Sequence, residues 1–268
     1  MIRILIHKLL RILNLRVMFE SNFAEYLKES GFNAERSTQL ANLENVTLLS
    51  AESRSDFFGK LIPFVRFSKS QIGQDLWVLS SSNYKRGGFF IEVGAHDGFH
   101  LSNTILLEQK FSWSGILIEP VLESFEKASN QRTSKVVNAY VSGASDNEVD
   151  FFHAVKSEYS TRRELIDSDY HSINRIDGKI IQLRTKTLVE VLKEHSAPEC
   201  IDYISIDTEG SEYDILEFFD FNYFRVNFWT IEHNNGPNQA RLDSLLRSKG
   251  YKNVRKNFGE FESWYYRE

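Results

Sequence analysis

The sequence predicts a doubly wound α/β sheet, mostly parallel, with a C-terminal antiparallel hairpin and an N-terminal helical extension. Three observations predict it. Short apolar runs bounded by glycine or polar residues recur between residues 89 and 231, as expected of strands buried on both faces. Segments of helical length alternate with them. Glu92, Glu119 and Asp207 fall at the carboxyl ends of three runs, where sheets of this class bind ligands.

The elements follow in order. Residues 1–67 read as a helical extension, with Phe23–Lys28 continuing a helix, Gly31 stopping it, and polar Asn42–Ser55 as loop. The main domain spans 68–268. Ser70–Leu79 predicts a helix, and Phe89–Val93 the first strand, flanked by Gly87-Gly88 and Gly94. Ser102–Glu108 is helical, and Gly115–Glu119 is a second strand. Ser124–Asn130 is helical, and Lys135–Val141 is a third strand. Residues 148–186 break the alternation and read as an insertion with short strands of its own. Thr187–His195, Ser211–Phe219 and Gln239–Ser248 predict helices, the last stopped at Gly250. Ile201–Ile206 and Asn227–Ile231 are the fourth and fifth strands. Tyr251–Lys256 and Ser263–Tyr266 form the hairpin around Gly259.

Composition narrows the function. The chain has 268 residues, is 41% hydrophobic and contains 21 Phe, which gives it a large core and argues against disorder. Its net charge of −5 gives no global pull onto nucleic acid, and a neutral or polar substrate, a small-molecule or glycan acceptor, is at least as expected as an anionic polymer. A single cysteine, Cys200, rules out an intrachain disulfide framework and points to the cytoplasm, with Cys200 expected as a small buried residue. Met1–Phe19 places Arg3, His7, Arg11 and Asn14 at helical spacing among Ile, Leu and Val. It is too interrupted by charge for a membrane span or a signal peptide. Two readings stay open: a basic helix lying peripherally on a membrane, or a helix packed on its own domain or on a second copy in a homo-oligomer.

Glu92-x-Gly94-x-x-x-Gly98 is the first candidate site. Its glycines permit a sharp turn and close approach of a ligand to the backbone. The acid suits the cationic amino group of a methionine-type ligand and repels a pyrophosphate. His96 replaces the second glycine of the dinucleotide pattern. The loop therefore favours S-adenosylmethionine over NAD. Glu119 stands where a carboxylate can accept from both ribose hydroxyls, or else cap the chain before Pro120. Asp207, Glu209 and Glu212 crowd one strand-to-helix turn. Asp207 is expected at the cofactor or acceptor, and Glu212 as a helix N-terminal charge. His233, after the fifth strand, is a candidate general base and, with Asp207 or Glu209, a possible divalent metal ligand without a spacing signature.

Four ordered segments, FFIEVGAHDG, SNT, GILIEP and IDYISIDTEGSE, with Gln71–Asp75 before them, resemble the FkbM family of methyltransferases over residues 68–267. The resemblance implies a class I, Rossmann-like methyltransferase fold, S-adenosylmethionine as cofactor, and O-methylation of sugar, glycan or natural-product hydroxyls. It implies that Glu92, Gly94, Ala95, His96, Gly98 and Asn103 line the methionine part and that Glu119 holds the ribose. Gln74 and Asp75 close over the cofactor, Asp207 and Glu209 sit near the transferred methyl, and Asn138–Val141 lie near adenine. Asp207, Glu209 and His233 are then the candidate catalytic groups. Two alternatives remain open: a non-catalytic binding or assembly module of this fold, and an NAD-dependent nucleotide-sugar enzyme, which Glu92 and His96 disfavour.

Overall fold

The computed structural model describes residues 46, 54–155, 160–166, 177–234, 236, 238–254 and 261–267. The expectations for Met1–Phe19, Phe23–Lys28 and the turn at Gly259 lie outside the described residues.

Seven strands form the main sheet. They are β1 (Phe89–Val93), β2 (Ser114–Ile118), β3 (Lys135–Val137), β8 (Cys200–Ile206), β9 (Arg225–Glu232), β10 (Tyr251–Asn253) and β11 (Glu262–Arg267). Their spatial order is β3-β2-β1-β8-β9-β11-β10. The first five are parallel, and β11 and β10 run antiparallel as the predicted hairpin. The chain winds outward from β1 to β3 and then returns to pair β8 on the other side of β1. The switch point therefore lies between β1 and β8. Seven helices complete the described fold: α1 (Arg54–Val65), α2 (Gln74–Ser81), α3 (Ile105–Phe111), α4 (Leu122–Gln131), α5 (Leu188–Glu194), α6 (Glu212–Glu217) and α7 (Gln239–Ser248). None is long and apolar enough to cross a membrane.

Strand alternation divides the core in two. Phe90 packs with Leu76, Trp77, Leu106, Leu107 and Trp264 on one face. Leu61 and Val65 of α1 join this cluster, so α1 packs directly on this face of the sheet. Ile91 and Val93 pack with Ile204, Ile206, Trp229 and Ile231 on the other face. Glu92 has the parity of Phe90 and so faces away from the second cluster.

Two elements differ from the sequence reading in an informative way. The predicted third strand ends at Val137, because the Asn138 side chain turns back and donates to the carbonyls of Glu119 and Pro120, both at 2.9 Å. The chain then enters a second sheet, β4 (Tyr140–Val141), β7 (Gly178–Lys186), β5 (Glu148–Ala154) and β6 (Thr161–Arg162), in the order β4-β7-β5-β6. The described part of the insertion carries short strands, as expected, and they join β4 in this second sheet. The helix expected from Ser102 begins only at Ile105, because Ser102, Asn103 and Thr104 are all turned onto Glu92. Capping chemistry fixes α5: the Thr187 side chain accepts from Glu190 N, while the Glu190 carboxylate accepts from Thr187 N. Cys200 opens β8 and is exposed, contrary to its expected burial, because it precedes the strand's buried stretch.

Candidate active site

The carboxyl ends of β1, β2 and β8, with the β3–β4 link, surround a cleft of about 880 Å³, its open mouth included. Glu92, Gly94, Ala95, His96, Asn103, Glu119, Asp207 and Glu209 all line it. The first loop turns where Gly94 takes φ +83°, and a Cβ there would fall 1.7 Å from the Asp207 carbonyl oxygen. Only glycine lets the β1 and β8 ends come this close. Gly94 N and Ala95 N both donate to Ile118 O, which ties the loop to β2. Gly98 does not line the cleft; it closes the turn behind it.

Glu92 is buried and its carboxylate is fully engaged. Oε1 accepts from Asn103 N at 2.7 Å, and Oε2 accepts from Ser102 Oγ at 3.0 Å and Thr104 Oγ1 at 2.5 Å. The Arg132 guanidinium stands 3.4 Å away. Asn103 Nδ2 donates to Ser205 Oγ at 2.9 Å, while its Oδ1 is buried without a partner.

Glu119 stands at the end of β2. Its carboxylate accepts from His96 N and Val121 N, both at 2.9 Å. Burial outweighs these bonds and pushes its pKa up to about 8. Beside it, Ile118, Pro120, Ala139, Val141 and Phe151 make an apolar wall.

The third wall is acidic. Carboxylate oxygens of Asp207, Glu209 and Glu232 lie within 4.8 Å of one another. Burial, then the charge of Asp207 and a hydrogen bond to it, holds Glu232 well above the usual carboxylate range. Asn234 Nδ2 donates to Glu232 at 3.1 Å and reaches Glu209 at 3.4 Å. Oxygens at this spacing can also hold a divalent cation. Glu209 adopts φ +57°, a left-handed conformation that costs a non-glycine residue about 1–2 kcal/mol. Glu212 is turned away from this group. It accepts from Thr208 N, Thr208 Oγ1 and Gly210 N, the N-terminal role expected of it.

Besides Gly98, three candidates from the sequence lie outside the cleft lining. His233 is buried, with Nε2 3.2 Å from Ser263 Oγ, and desolvation lowers its pKa to about 4. Strand parity explains its placement. Ser205 pairs with Thr230, so Glu232, two residues on, shares the face of Asp207, while His233 takes the other face. Gln74 donates to Glu262 Oε2 at 2.7 Å, and Asp75 accepts from Ser68 and Ser70. Both belong to the packing beneath the site. Sequence reasoning missed Glu232, which the parity argument would have found. It also missed Arg132, whose place at the end of an amphipathic helix reads as surface.

The parallel sheet, the glycine turn at its switch point and the strand-end carboxylates form the ligand site of a doubly wound α/β fold. The chain belongs to the methyltransferase FkbM domain family, whose profile matches residues 92–252. Among solved structures it is similar to the METTL16 methyltransferase domain, with 13% identity over 71% of this chain and a TM-score of 0.40. The chain spans 64% of that protein's length. It is also similar to the N-terminal domain of human METTL16 in complex with SAH, at 13% identity over 70% of this chain and 66% of that one, TM-score 0.38. A third likeness is to precorrin-6y C5,15-methyltransferase from Geobacter metallireducens GS-15, at 11% identity over 74% of this chain and 89% of that one, TM-score 0.42. No curated protein matches the chain. The cleft fits the family's cofactor on its own terms: a cradle that a Cβ at Gly94 would fill, and an orphaned buried acceptor at Asn103.

Proposed function

We propose that the protein transfers a methyl group to a hydroxyl of a neutral acceptor, most simply a sugar, a glycan or a glycosylated natural product. The observation that carries this reading is the acidic group of Asp207, Glu209 and Glu232, of which Asp207 and Glu209 line a cleft that no lysine or arginine lines among the described residues. Such a group accepts protons and repels phosphate or carboxylate.

S-adenosylmethionine, when bound, supplies an electrophilic methyl on sulfonium. Glu119 would hold the ribose hydroxyls, and the apolar wall from Ile118 to Phe151 would face the adenine ring. Asn103 Oδ1 would accept from the methionine ammonium. Asp207 opens onto the cleft and is the group that takes the acceptor's proton as the new O–C bond forms. Glu232 stands behind it, hydrogen-bonded to it, with its carboxyl held well above the usual range by burial and by the charge of Asp207. Glu209, bound through its backbone oxygen to Thr161 Oγ1 at 2.7 Å, ties this wall to the second sheet, which forms the acceptor side.

The test is transfer of radiolabelled methyl to neutral glycosides, phosphorylated sugars, protein and nucleic acid in parallel. The reading expects base-stable label in the neutral glycosides. Label confined to protein, nucleic acid or phosphorylated sugars would overturn it.

A further inference from the structure

Arg132 closes α4, and its side chain is entirely buried. Every nitrogen of its guanidinium has an acceptor. Nε donates to Glu108 Oε2 at 3.2 Å, and one terminal nitrogen donates to Gly98 O at 2.9 Å and Ser102 Oγ at 3.1 Å while facing Glu92. The other donates to Thr104 Oγ1 at 2.9 Å and Glu108 Oε2 at 3.0 Å. The turn is shaped to admit this side chain. A Cβ at Gly98 would come within 2.9 Å of Arg132 Cγ and 3.1 Å of Ala128 Cβ. Ser102 and Thr104, on either side of Asn103, are each bound to both Glu92 and Arg132. The Asn103 N–H itself donates to Glu92.

We propose that Arg132 is a positioning residue for the cofactor: it holds Glu92 and the Gly98–Thr104 turn as one wall and thereby aims Asn103 Oδ1 at the methionine end of the ligand. This rests on the assignment of the cleft to S-adenosylmethionine. Glu108 completes the device. Burial raises its carboxyl, but Arg132 and the hydrogen bonds around it outweigh this and hold it below the usual range. Glu108 also accepts from Thr133 N and Oγ1, which anchors the guanidinium from the side away from the cleft. Shape alone does not need this arrangement, since a buried ion triad can be replaced by apolar packing without loss of stability. What apolar packing cannot supply is a fork of fixed donors that sets three acceptors of one turn, Gly98 O, Ser102 Oγ and Thr104 Oγ1, in register with Glu92.

The test splits the ligand. S-adenosylhomocysteine and adenosine are titrated calorimetrically into the full chain, wild type and Arg132→Met, with folding checked by circular dichroism. Arg132→Met is expected to weaken S-adenosylhomocysteine by about 30-fold, the loss of one charge-assisted hydrogen bond. Adenosine, held by Glu119 and the apolar wall, is expected to change by no more than about threefold. Equal weakening of both ligands would show a merely structural role, and an unchanged S-adenosylhomocysteine affinity would remove the role altogether. Should Arg132→Met not fold, Arg132→Lys decides. It keeps the charge but not the fork, and wild-type affinity for both ligands would overturn the proposal. Failure of the wild type to bind either ligand would instead overturn the assignment of the cleft.

Discussion

The two sides of the cleft treat buried carboxylates in opposite ways. On the β1 side, Glu92 and Glu108 share one guanidinium and are hydrogen-bonded to saturation. On the β8–β9 side, Asp207, Glu209 and Glu232 crowd together, and the neighbour that bridges Glu209 and Glu232 is an amide, Asn234. A carboxylate paired with a guanidinium and saturated with hydrogen bonds can serve as scaffold. Crowding of carboxylates raises at least one of them, here Glu232, and suits it to exchange a proton. The first wall is built to hold a ligand and the second to handle a proton.

The largest effect that would break this contrast is on turnover. Asp207→Asn should lower the methyl-transfer rate by about 10²–10⁴-fold, the usual worth of a general base, in the radiolabel assay. Next comes stability. Glu92→Ala should cost about 3 kcal/mol in urea unfolding, because it breaks a buried pair, whereas Glu232→Gln mimics the protonated form and should stay within about 1 kcal/mol of wild type. Equal losses would erase the distinction between the walls.

A smaller effect is expected with pH. Glu119 has a pKa of about 8 in the folded protein against 4.5 ordinarily, so the folded state binds more protons than the unfolded one between these values. The sign follows: its contribution to stability is full below about pH 4.5 and is lost as pH rises through about 8. Ribose hydroxyls donate to the ionised form, so ligand binding should release a proton and tighten as pH rises toward 8. Calorimetry in buffers of different ionisation enthalpy reads that proton directly. The smallest effect belongs to His233. His233→Ala should leave turnover within about threefold and cost about 1 kcal/mol for the lost bond to Ser263.

The sheet was legible in the sequence because buried parallel strands are short apolar runs, and Phe89–Val93 and Ile201–Ile206 fall almost unchanged into β1 and β8. The strand-end carboxylates were legible for the same reason. What escaped was set by side chains acting across the fold. Asn138 ends β3 by reaching back to β2, and Ser102–Thr104 delay α3 by turning onto Glu92. Arg132 is buried only because the Gly98 turn, more than thirty residues earlier, opens a place for it. His233 was chosen by residue type where parity selected Glu232.

The most direct test of the divided cleft is one set of titrations. S-adenosylhomocysteine is titrated into wild type, Glu119→Gln and Asp207→Asn under the same conditions. The division predicts that Glu119→Gln binds about tenfold more weakly, while Asp207→Asn stays within about threefold of wild type. The reverse order, with Asp207→Asn the weaker binder, would contradict it.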